Sequence, residues 1–118
     1  MNEETIRDAA FELCRDRHRR LLLSILLADE RPMTMNDLTK EIAVRVHGEQ
    51  ITDLSAEVVV GTYCLLYHVH VPKLADAKVL THDHERNLVE TGDAFAAMKP
   101  FVSQFVDDHR TPPVASSD

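Results

Sequence analysis

Two histidines one residue apart, His68 and His70, sit in the stretch YHVHVPKL, where a proline follows an apolar run. Such a pair can hold a metal, work as an acid–base couple or mark a bend. On a helix, residues two apart point about 200° from one another. Metal-binding pairs on helices use i, i+3 or i, i+4 spacing instead. His68 and His70 should therefore face different ways, as helix-end histidines at a corner of the scaffold. His82 and His84 fall on one side of an extended strand, with Asp83 between them. That is better ligand geometry, but no third ligand has a place beside it, so no metal is expected. Cys64 and His68 stand at i, i+4, the spacing of a thiol–imidazole couple on one helix. Cys64 lies in the most apolar part of the chain, where a thiol is usually inert packing.

Other catalytic devices are missing from the sequence. The three glycines are isolated, so no phosphate-cradling loop exists, and no nucleophile elbow or zinc-protease motif is present. The chain reads as non-enzymatic, with no catalytic residue and no cofactor. At 118 residues it is long enough for one domain with a modest core. No run of 18 apolar residues marks a membrane span. The acidic, amphipathic start MNEETIRDAAFE is unlike a secretory signal. Cys14 and Cys64 are too few for a disulfide framework, so both are expected as reduced, partly buried thiols in a cytoplasmic protein. Twenty acids stand against thirteen bases, for a net charge of −7, and only four of the bases are Lys. This balance fits adaptation to high salt (a halophilic protein) and argues against a general nucleic-acid binder.

The elements follow from periodicity and caps. Ile6, Ala9, Ala10 and Leu13 predict a helix over 3–13. Asp16 caps a second, with Leu21, Leu22, Ile25 and Leu26 inward, ending near Asp29. Met33 is a short strand or an extended residue, and Thr34 with Asp37 opens a helix that runs to about His47 and stops at Gly48. Ser55 caps the apolar run AEVVVGTYCLLYHVHV, whose length favours a buried helix. That helix must bend or restart at Pro72, which lacks an amide hydrogen and clashes with the preceding turn. Residues 79–83 and 88–91 flank the polar turn 84–87 as a β-hairpin. Phe95, Met98, Val102 and Phe105 share one face of a last helix, kinked or restarted at Pro100. The fold class is mainly α with a small hairpin. Residues 1–106 form a single domain, and 107–118 a disordered tail.

Three helices, a hairpin and a further helix make the order of a winged helix-turn-helix with extra N- and C-terminal helices. RDRHRRLLLSILL and MTMNDLTKEIA are similar to the first two helices of a haloarchaeal winged-helix family. LLYHVHVPKLADAKVLTHD resembles that family's most distinctive segment, a His-x-His-x-Pro-Lys-Leu signature before the first wing strand. Together these words span roughly residues 15–90. The resemblance implies a DNA-binding transcription regulator, by fold and not by site. Phosphate contact is assigned to Arg15, Arg17, Arg19 and Arg20, which cluster at the second helix, with Lys73, and with Arg86 at the wing tip. Thr62 is a polar contact on the third helix. One departure stands out: no Lys or Arg lies between Arg45 and Lys73, and the third helix begins with Glu57. Guanine readout needs Arg or Lys.

The alternative is a winged-helix module that binds protein and not DNA. The third helix carries more apolar residues than one side of a small core needs, so protomers can bury it between them. Regulator dimers match two-fold operators, so a homodimer is expected, with Phe95, Met98, Val102 and Phe105 as its seam. Double-stranded DNA, a second copy and a protein partner are thus the candidate partners, without a membrane.

Overall fold

The computed structural model describes residues 2–108. Helix α1 spans Glu3–Leu13, and Asn2 caps it by accepting the Thr5 N–H at 2.7 Å. Helix α2 spans Arg17–Ala28 behind Asp16. Strand β1 is the two residues Met33–Thr34, and α3 follows at once over Met35–His47. The Thr34 hydroxyl accepts the Asp37 N–H at 3.0 Å, and Gly48 ends α3 in the left-handed conformation at φ 66°, which glycine adopts without a Cβ penalty. After a 3-10 turn at Ile51–Asp53, Ser55 caps α4, Ala56–Leu65.

At Pro72 the helix neither breaks nor restarts. It widens one turn early into a π segment, Leu66–His70, in which the Val71 N–H reaches back to the Leu66 carbonyl, and continues as α5, Val71–Asp76. The wider turn gives the proline ring room against the carbonyl four residues earlier, the clash that would kink a regular helix.

Strands β2 (Leu80–Asp83) and β3 (Leu88–Thr91) form the expected hairpin, and β1 adds to its other side, giving the antiparallel order β1-β3-β2. Val89 sits opposite His82 on one side and Met33 on the other, and its side chain is fully buried. Met33 is the short strand that the sequence allowed, but its pairing with β3 was not legible, because a two-residue strand carries no alternation to read. Behind β2 the chain passes so close that a Cβ on Gly92 would meet the Lys78 carbonyl oxygen at 2.5 Å.

Helix α6, Phe95–Asp108, runs through Pro100 as one assigned helix. It packs on α1 and α2, with Phe105 edge-on to Phe11 at 5.4 Å between ring centres. Its stripe corrects one expectation: Phe95, Met98 and Val102 are buried in the single chain's own core, and Phe105 is partly covered there. Phe95, Met98 and Val102 therefore have no spare face for a dimer seam. The expected tail at 107–118 begins inside α6 at its first two residues, and 109–118 lie outside the described residues. Among the described residues no helix is long and apolar enough to cross a membrane.

If the stripe is core, Met98→Ala should cost about 2–5 kcal/mol in urea unfolding and leave the oligomeric state unchanged. A change of mass with no loss of stability would return these residues to a seam.

Candidate functional site

Helix α4, the π segment and α5 act as one rod. Its inner line is Thr62, Leu66, His70 and Leu74, all buried and four residues apart. The outer line repeats at the same interval: Val60–Gly61, Cys64–Leu65, His68–Val69 and Pro72–Lys73 are all exposed. In a regular helix of 3.6 residues per turn such a repeat drifts about 40° each time. The under-wound π segment takes back part of that drift. Val60, Leu65 and Val69 keep 61%, 44% and 48% of their surface open, high for aliphatic side chains.

Two sequence expectations change at this rod. Thr62 is buried, and its hydroxyl donates to the Val58 carbonyl at 2.9 Å, so it points into the protein and not at a ligand. Cys64 is exposed, not packed. The inert thiol is Cys14, whose pKa burial pushes up to about 11 against the pull of Arg20 and Arg19. The apolar composition of α4 hid this difference, since periodicity cannot identify the buried side of a helix that is apolar all round.

The arginine cluster is half structural. Arg19 is buried: its Nε–H donates to the Leu13 carbonyl at 2.8 Å, and one Nη reaches His70 Nδ1 at 3.3 Å. Arg20 donates to the Cys14 and Arg15 carbonyls at 2.9 and 3.0 Å. Arg19 thus satisfies carbonyls that α1 leaves open at its end and is buried away from any phosphate, while half-buried Arg20 bonds the carbonyls just after that end through one Nη. Arg15 and Arg17 stay exposed, Arg15 paired with Glu12 at 3.3 Å. Lys73 is exposed, and exposed Arg86 lies 3.9 Å from Asp83. The predicted DNA-contact set is therefore split between two structural arginines, a buried threonine and four surface cations.

His70 sits at the centre of this junction, buried, with its ring stacked on His18 at 5.3 Å. Arginine can only donate, so His70 Nδ1 accepts and the ring proton lies on Nε2, 3.5 Å from Asp16 Oδ1. Asp16, His18 and His70 bring three ligand atoms within 4.8 Å of one another. A cation there would have to displace the Nε2 proton beside a guanidinium, so the arrangement suits a hydrogen-bonded pin better than a metal seat. Burial lowers the His70 pKa, and the charges of His18, Arg19 and Lys73 lower it further against the opposing pull of Asp16. Burial would raise the Asp16 carboxyl, but the N–H groups of Arg19 and His18 and the nearby His70 and Arg19 charges outweigh it and hold the pKa down. Spacing along the sequence gave no sign of this cluster, because His70 and Arg19 are 51 residues apart.

A second junction ties α4 to the hairpin. Asn87, at φ 55°, donates its amide to the Tyr63 hydroxyl at 2.9 Å and accepts His82 Nε2–H at 2.8 Å. Its carbonyl takes the Met35 N–H, the first residue of α3. His82 and His84 lie 4.1 Å apart between ring centres, with Tyr67 edge-on to both. The two rings do lie together as expected, although His84 stands in the turn just past β2, and His82 is engaged by Asn87.

No curated protein and no solved structure matches the chain significantly. A family model described as a domain of unknown function, DUF7344, matches residues 11–90, more than half of the chain. The chain belongs to the DUF7344 family. The DUF7344 match runs from the end of α1 into β3, so it takes in the Arg19 pin, the α4 rod and the Asn87 junction. All of α6 lies outside it.

The lowered His70 pKa has a stability consequence. A base harder to protonate when folded binds fewer protons in the native state, so its contribution is full above the ordinary value of 6.5 and is lost as pH falls below it. Urea midpoints should therefore drop between pH about 8 and about 5.5, and His70→Gln should flatten that drop. An equal drop in both proteins would assign it to another group.

Proposed function

We propose that this chain is a winged-helix protein that works by protein contact, with the outer line of α4 as the contact surface. Helices α2, α3 and α4 supply the three-helix core, and β2–β3 the wing. In winged-helix DNA binders the exposed side of the third helix enters the major groove. Bases are read there by Arg, Lys, Asn or Gln. On α4 and the π segment that side presents Val60, Gly61, Cys64, Leu65, His68 and Val69, and Glu57 stands at its entry. This largely apolar face, with no Lys or Arg before Lys73 at its far end, carries the reading, because neighbouring exposed aliphatics mark protein contact sites. A non-enzymatic role and a cytoplasmic location go with it, in keeping with two unpaired thiols.

A DNA-binding transcription regulator is the second reading, favoured by the exposed cations Arg15, Arg17, Lys73 and Arg86. These would meet phosphates and position a duplex without reading its sequence. The test is fluorescence anisotropy of labelled duplexes titrated with protein across a KCl series. Protein contact predicts no saturable binding at any salt at which the chain is folded. Binding that weakens with salt and survives for a subset of sequences would replace it with the regulator.

A further inference from the structure

Glu57 and Lys73 are both exposed and make no ion pair among the described residues, and they stand at opposite ends of the same outer line. Between them lie the open aliphatics Val60, Leu65 and Val69. One end is acidic, the other basic, and the middle is apolar. Such a line is complementary to itself when turned end for end.

Gly61 adds an independent observation. A glycine inside a helix costs about 1 kcal/mol relative to alanine. Nothing in the single chain requires it: its φ is not positive, and an added Cβ would meet no atom within 4 Å. Glycine on an outward helix face allows a second backbone to come close.

We propose that the occupant of the α4 face is a second copy of this chain, packed antiparallel across a two-fold axis near Cys64 and Leu65. This rests on the protein-contact reading and names its partner. With the axis there, Val60 meets Val69 of the second copy, and Gly61 lies against the copy's His68. Cys64 meets the copy's Leu65, and Glu57 reaches the copy's Lys73. Each contact occurs twice, as an isologous interface demands. Val69 of the second copy also falls beside the open groove of about 290 Å³ between α3 and α4, which Val59, Val60 and Tyr63 line. The drift that the π segment takes back lets the contact extend along the rod.

Light scattering over a dilution series tests this, with circular dichroism to confirm folding. The wild-type chain should show twice the 13.4 kDa mass of one chain. Leu65→Glu places a carboxylate on the axis and should weaken the dimer about a hundredfold or more. Glu57→Lys alone, or Lys73→Glu alone, breaks two symmetric surface pairs and should weaken it about fivefold to thirtyfold. The two substitutions together should restore most of the affinity. A wild-type chain of single mass throughout, or a dimer indifferent to Leu65→Glu, would overturn the self-pairing. Either result leaves the protein-contact reading standing, since that falls only to sequence-selective duplex binding in the anisotropy titration.

Discussion

The buried guanidinium of Arg19 is the constraint on which the arrangement of helices depends. It joins the open end of α1 to the start of α2 and to His70 in the π segment. A buried arginine is stable only when hydrogen bonds satisfy its donors, and the end of α1 and His70 supply the acceptors. Fixing His70 inward fixes the rotation of the whole α4–α5 rod. The line that includes Val60, Leu65 and Val69 must then face outward. The apolar exposure is thus a consequence of the polar junction behind it, and not of loose packing.

The Asn87 junction does for the hairpin what Arg19 does for the helices. It uses a left-handed residue to turn the chain and spends both ends of its amide on Tyr63 and His82. Asparagine tolerates that conformation better than most residues. Position and bonding therefore come from one side chain, which adds a polar tie to α4 beside the buried Leu80 and Val89 of the hairpin. On the proposed reading the wing is a brace for the rod as much as a ligand-binding arm.

Much of the fold was legible because it is written locally. Asp16, Thr34 and Ser55 cap helices where their side-chain oxygens announce it, and Gly48 stops α3 where left-handed geometry is needed. The site was less legible, for physical reasons. Arg15, Arg17, Arg19 and Arg20 look alike as a charge run, yet the 51-residue separation of Arg19 from His70 hides which of them is buried. The stripe from Phe95 to Phe105 has the same periodicity whether it meets α1 or a twin. In α4 apolar residues occur on every side, so Cys64 passed for core and Thr62 for a surface contact. The surplus of apolar residues on this helix was visible; where it pointed was not.

The most direct measurement is an isotope-filtered NOE experiment on an equal mixture of 13C-labelled and unlabelled chains, which records only contacts between copies. The account predicts cross-peaks between the methyls of Val60 in one chain and Val69 in the other, with Leu65 near its own counterpart. Contacts that involve other residues, or no contact between copies at all, would contradict it.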